Sequence, residues 1–198
     1  MTNNIIEKSK LSVEGHVVIR DADTAEVLLD KYNAINFENF AFAVAHLLAN
    51  RESDAGFGYF INTMAFGNGG TVVSPTGNIT YKEPKVNGAD GGLYVPSPGV
   101  VAGTNFEKQI TDFKIDNTET QPYTDLICTV VLDYDDPSTA KPNDTAEDFE
   151  TPENYVFDEI ALVTENGDFL THLIFHPIQK SSNRKLEIIY SIRIRAGI

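Results

Sequence analysis

The chain has no tryptophan and a single cysteine, Cys128, so an intrachain disulfide is excluded. Such a chain suits a reducing cytosol, and its fold must be held by a core rather than by staples. Cys128 lies inside an apolar run and reads as a small buried hydrophobe. Bases are scarce: 15 Lys and Arg stand against 29 Asp and Glu, giving a net charge of −14. A phosphate backbone would be repelled by that surface, and no basic stripe offsets it, so nucleic acid is not an expected partner. No stretch approaches the roughly 20 apolar residues that cross a bilayer, so no membrane partner is expected. Met1 to Lys8 lack the apolar and small-residue regions of a signal peptide. With 198 residues and a 41% hydrophobic fraction, the composition is ordinary for a globular domain.

Catalytic signatures are also missing. There is no Gly-x-Ser-x-Gly elbow and no cysteine with a nearby histidine. Phe66-Gly67-Asn68-Gly69-Gly70-Thr71 shares only its glycines with a phosphate loop. Val72, Val73 and Ser74-Pro75 follow where a Lys-Ser/Thr pair should open a helix, so a tight turn is the better reading. His172 and His176 would suit zinc on a helix, but Leu173-Ile174-Phe175 and Pro177 favour a strand. Four residues of strand span roughly 13 Å, too far for two imidazoles to share one ion. Asp133, Asp135 and Asp136 offer hard oxygen ligands, yet their spacing fits no calcium loop, and a solvated or docking face is preferred. Paired carboxylates of the glycosidase kind meet only in space, and the sequence does not address them. The expectation is a chain with no enzyme activity, no cofactor and no bound metal.

What is present is mostly strand. His16 to Arg20 and Glu26 to Tyr32 flank a polar Asx-type turn at Asp21–Ala25 and predict a hairpin. Phe37, Phe40, Ala41, Val44, Leu47 and Leu48 recur at three- and four-residue spacing, so residues 37–50 are predicted as a helix. Asn36 is its N-cap, and its aromatic stripe is expected to pack on a sheet. Tyr59 to Phe66, Phe106 to Ile115, Leu126 to Leu132, Val156 to Thr164 and Phe169 to His176 are predicted strands, the last stopped by Pro177. The apolar run at 126–132 predicts cover on both faces. Glu165-Asn166-Gly167-Asp168 is a turn with Gly167 at φ > 0. Leu186, Ile188, Tyr190, Ile192 and Ile194 alternate with more polar neighbours, the mark of a half-buried strand.

The fold class expected is mainly β: an antiparallel β-sandwich, jelly-roll or barrel-like, with one α-helix packed on it. A single domain over residues 1–198 is expected. An N-terminal arm is expected at 1–12 and long loops at 71–104 and 133–153, the first with a short strand at Ile79-Thr80-Tyr81. Long ordered loops usually contact a partner.

Two stretches resemble a family of tailed-bacteriophage virion structural proteins. The first runs from Gly15 to Gly70, through Ile19-Arg20-Asp21 and the helix to Met64-Ala65-Phe66-Gly67-Asn68-Gly69-Gly70. The second runs from Phe157 to Arg195. It contains Phe157-Asp158-Glu159-Ile160-Ala161-Leu162, the Gly167 turn, Leu173-Ile174-Phe175-His176-Pro177-Ile178-Gln179-Lys180 and the final alternating strand. The resemblance covers about half the chain and implies a subunit of a tail, neck, collar or baseplate, assembled in the host cytoplasm into the virion. It implies other phage structural proteins as partners and a homo-oligomer, with capsid decoration or a glycan-binding fibre module as alternatives. Interface residues expected on this reading are Ile5, Ile6, Tyr81, Tyr94, Asp135 and Asp136. Tyr59, Tyr81, Tyr94 and Tyr123 are the candidates for stacking on a sugar.

Overall fold

A computed structural model describes residues 10–97, 104–117, 121–136 and 154–197. Among the described residues eleven strands and one α-helix follow in order. These are β1 (Lys10–Asp21), β2 (Val27–Ile35), α1 (Phe37–Leu48), β3 (Ile61–Gly67), β4 (Thr71–Val73) and β5 (Ile79–Tyr81). After a short 3-10 turn at Gly88–Asp90 come β6 (Glu107–Gln109), β7 (Asp112–Asp116), β8 (Tyr123–Leu132), β9 (Asn154–Thr164), β10 (Thr171–Ser181) and β11 (Leu186–Gly197).

A single nine-stranded sheet runs β6-β3-β9-β10-β2-β1-β11-β8-β7, and its pairings are antiparallel. Its two edges, β6 and β7, are separated in sequence only by Ile110 and Thr111. The Ile110 N–H donates to Asn62 O on the β3 side (3.1 Å) and the Thr111 N–H to Thr129 O on β8 (3.2 Å). One bend therefore touches both edges, so the sheet curls until they meet. On the other side the halves join where Ile35 and Ala34 of β2 pair with Thr171 and His172 of β10, a junction extended by the Asn36 N–H donating to Leu170 O (2.9 Å). The result is a barrel-like sandwich with one core cluster drawing Val17, Ile19, Val130 and Ile188 from one half, and Met64, Phe66, Leu162 and Phe175 from the other. Burying each such side chain contributes about 1.5–3 kcal/mol.

Local chemistry explains the punctuation. Asp21 Oδ1 accepts from the N–H groups of Asp23 (3.0 Å) and Thr24 (2.9 Å), making the expected Asx turn. Asn36 Oδ1 accepts from the Asn39 N–H (3.1 Å) and caps α1. Gly167 turns at φ 92°. The final strand alternates as expected: Leu186, Ile188, Tyr190 and Ile192 are buried.

Several expectations require correction. Residues 10–12, expected in the arm, are strand, because β1 begins at Lys10 and pairs with β11 from there. The predicted strand at 106–115 is two strands on opposite edges of the sheet. Pro177 does not stop β10, which continues to Ser181. The register shifts between Ile174 and Ile178, and this irregularity accommodates a residue with no N–H to give. Within the stretch 71–104 the strand expected at Ile79–Tyr81 is present as β5, and the unforeseen β4 pairs with it in a small hairpin. The strand covered on both faces is β9, buried from Val156 through Thr164, whereas alternate residues of β8 are only half-buried. Finally, α1 buries Phe40 and Ala43 but leaves Phe37, Phe42, Leu47 and Leu48 exposed. Its stripe is apolar at the spacing of a packed face, yet only part of it reaches the sheet.

Candidate functional site

Two adjacent acids, Asp158 and Glu159, interrupt the apolar run of β9, and both are fully buried. Successive strand residues face opposite ways, so each carboxylate serves a different segment. Asp158 Oδ1 accepts from the N–H groups of Gly69 (2.8 Å) and Gly70 (3.0 Å). Its Oδ2 accepts from the N–H (2.7 Å) and hydroxyl (2.5 Å) of Thr71. All four contacts are donors, which suits a carboxylate rather than a carboxylic acid. The Gly67–Gly70 turn thus presents successive N–H groups as an anion nest does, but its anion is the protein's own side chain. Gly70 is required here by space: a Cβ would lie 2.8 Å from Ile174 Cγ2.

Glu159 holds the second segment. Oε1 accepts from the Val95 N–H (2.9 Å), and Oε2 from the Tyr94 N–H (2.9 Å). His172 Nδ1 accepts from the Lys85 N–H (2.8 Å), which places the imidazole proton on Nε2, and Nε2 donates to Glu159 Oε2 at 3.0 Å. Neither His172 nor Glu159 is solvent-accessible. Residues 82–97 are thereby seated against β3, β9 and β10, and Leu93 packs with Ala65, Ala161 and Val163 in a second small core. The clustered acids and histidine are consumed in fastening loops, and no side of them is open to a substrate.

The fastened loops carry a cationic face on an acidic chain. Lys82 Nζ donates to Gly69 O (2.6 Å) and lies 4.3 Å from the Tyr94 ring centre; Lys85 Nζ lies 4.4 Å from the same ring. Lys31 Nζ donates to Ile174 O (2.9 Å) and sits 5.4 Å from the Tyr81 ring. Among the described residues none of these lysines has an ion-pair partner, whereas Lys108, Lys114 and Lys185 each have one.

The expected interface residues separate into distinct places. Tyr81 is half exposed, with its hydroxyl 3.5 Å from His176 Nδ1. Tyr94 is half-buried, donates its hydroxyl to Glu83 O (2.9 Å) and has its ring covered by two lysines. Tyr59 is buried, and the Arg193 guanidinium lies 3.8 Å from the Tyr123 ring. Of the four tyrosines considered for sugar stacking, Tyr81 is the most exposed. Asp135 is exposed, but Asp136 staples its own turn: Oδ2 accepts from the Asp133 N–H (2.9 Å) and pairs with Lys108. The Tyr134 N–H, then Lys185, hold the Asp133 carboxyl below its ordinary range. Lys180 is buried beneath this turn, its Nζ donating to Ser181 O (2.9 Å); burial lowers its pKa, against the opposing pull of Asp136, Asp133 and Asp135. Among the described residues no three His, Cys, Asp or Glu side chains gather as metal ligands. Ile5, Ile6 and residues 137–153 lie outside the described residues.

A groove of about 610 Å³ opens elsewhere, between β1, β2 and the start of α1. Val13, Tyr32, Ile35, Phe37 and Val86 give it apolar walls, and Glu14 and Glu38 its charge. Sequence reasoning missed both this groove and the two carboxylate fasteners. The available signal was Asp158-Glu159, two charges inside a run otherwise fit for a core.

No known family, curated protein or solved structure matches this chain.

Proposed function

We propose that this chain is a non-enzymatic structural subunit that works by packing against copies of itself and other proteins. The reading extends to a tailed-phage particle, in the tail, neck or baseplate. The observation that carries the first part is the use made of the buried polar groups. Asp158, Glu159 and His172 spend their side-chain hydrogen bonds on one another and on holding residues 69–71, 85 and 94–95 in place. Rigid loops bind with less ordering cost than floppy ones, so this arrangement suits a contact surface. Large side chains left in water support the same reading, with Leu48 85% and Tyr32 72% exposed. The phage setting rests on the resemblance of residues 15–70 and 157–195 to virion proteins.

Mass spectrometry of homogeneous particles, from cells in which this polypeptide is made, tests the setting. The polypeptide is expected at a fixed stoichiometry to the other virion proteins. Its absence from particles of full infectivity would remove the phage reading.

A further inference from the structure

We propose that the groove beside β1 receives residues 1–9 of a second copy of this chain as an added strand. The inference rests on the reading of the chain as a self-associating subunit and names the contact. β1 pairs with β11 along its whole length, Lys10 to Asp21. Its other side pairs with β2 only from Gly15 onward, because β2 then turns to β10 through Ala34 and Ile35. Residues 10–14 of β1 therefore have a strand on one side and none of the sheet on the other. An unpaired row of backbone donors and acceptors is a template for strand addition.

The fork where β1 and β2 part is the groove. At its apex the Asn33 side chain lies over Gly15, whose missing Cβ would come within 1.6 Å of Asn33 Oδ1. Asn33 Nδ2 is fixed by Ala34 O (3.0 Å) and the Tyr190 hydroxyl, so the side chain marks where β1–β2 pairing ends. Beyond it, Phe37 is 63% exposed and stands as an apolar wall beside the open edge, while Tyr32, one pair back opposite His16, lines the groove's near side.

The sequence of residues 1–9, Met-Thr-Asn-Asn-Ile-Ile-Glu-Lys-Ser, fits this occupant. Met1, Ile5 and Ile6 match apolar walls, and Glu7 and Lys8 cancel, so the segment brings no net charge to a groove holding Glu14 and Glu38. As an extended strand it reaches about 30 Å, enough to cross to a neighbour. Folding back onto the same chain would need a tight turn just before Lys10. A two-residue hairpin there calls for Gly, Asn or Asp, which Ile6-Glu7-Lys8-Ser9 lacks, and the proposal accordingly places the segment in a second copy.

Sedimentation and light scattering test this on four chains: the full chain, a chain lacking residues 1–9, Ile6→Asp, and Phe37→Asp. Phe37 is exposed and opens α1, so an acid there leaves the helix intact and blocks the groove. The full chain is expected as a homo-oligomer and the other three as monomers with unchanged circular dichroism. A labelled peptide of residues 1–9 is expected to bind the shortened chain saturably, and to bind at least tenfold more weakly once Phe37→Asp is added. A monomeric full chain, a variant that keeps the oligomer's mass, or peptide binding indifferent to Phe37→Asp would overturn the inference. Failure of this kind in a chain still found in particles leaves the proposed function standing. An exchanged oligomer absent from every particle does the reverse.

Discussion

Replacing Asp158 by Asn is the most informative single change in the core. The side chain keeps its shape but loses its charge, and one acceptor oxygen becomes an NH2. Asp158 accepts four hydrogen bonds, from Gly69, Gly70 and twice from Thr71. An NH2 turned to Gly69 and Gly70 opposes two N–H groups, and one turned to Thr71 opposes its N–H while the hydroxyl can rotate to accept. A hydrogen bond to a charged group contributes about 1.5–3 kcal/mol, and a buried N–H left without a partner costs about 1–3 kcal/mol. Part of the first figure survives, because three bonds remain as neutral ones in the better orientation, so a loss of about 2–4 kcal/mol follows. That is a large share of the roughly 5–15 kcal/mol that stabilises a typical domain. Urea unfolding should show a lower midpoint with an unchanged slope. Hydrogen exchange should quicken first at the amides of Gly69, Gly70 and Thr71. A variant within about 0.5 kcal/mol of the parent, with those amides still protected, would refute the claim that Asp158 fastens the turn.

Three further expectations follow from the same packing. Leu132→Ala, at a fully buried site, should cost about 2–5 kcal/mol, whereas Leu48→Ala, at an 85% exposed one, should cost under about 0.5 kcal/mol in the isolated chain; equal losses in urea titrations would contradict the described helix face. Gly67→Ala should destabilise by about 1–3 kcal/mol, since its Cβ would stand 2.6 Å from Glu159 Oε1 and 2.8 Å from the Val95 carbonyl; an unchanged melting temperature would be inconsistent with that clasp. Burial pushes the Cys128 thiol up to about 12 from an ordinary 9.0. The folded chain then keeps a proton that the unfolded chain releases, so stability falls as pH rises above about 9, by at most about 1.4 kcal/mol per pH unit from this group. Ellman's reagent at mildly alkaline pH should find no thiol until denaturant is added, and rapid native reaction would show Cys128 to be accessible.

The fold class was legible because β-structure advertises itself locally. Alternation at 186–194, the Asx turn at Asp21 and the cap at Asn36 each depend on neighbours in sequence, and each is present. The helix period located α1 correctly but could not say which part of its stripe meets the sheet, because that depends on a partner surface remote in sequence. Pro177 misled for a related reason: a proline ends a strand unless the pairing irregularity it needs is supplied by the opposing strand, here β9. The split at Ile110-Thr111 was hidden because two short strands in line look like one until their partners, β3 and β8, are known.

The functional residues were harder. Asp158 and Glu159 were visible only as part of a resemblance. Their task, holding residues 69–71 and 94–95, joins positions more than sixty residues apart. His172 was weighed as half of a metal pair with His176, yet His172 is buried against Glu159 while His176, within the stretch where the β10 register shifts, is exposed beside Tyr81. The groove could not be foreseen, since it exists only because β2 changes partner between Asn33 and Ala34.

On the proposed function, this chain's outer surfaces, held rigid from within, join it to copies of itself and to neighbouring proteins. A reconstruction of the purified particle at side-chain resolution addresses that most directly. It should show several copies around a symmetry axis, with protein density along the open edge of β1 and against the loops seated by Glu159. Particles in which every copy stands alone, with the groove and these loops facing solvent, would contradict it.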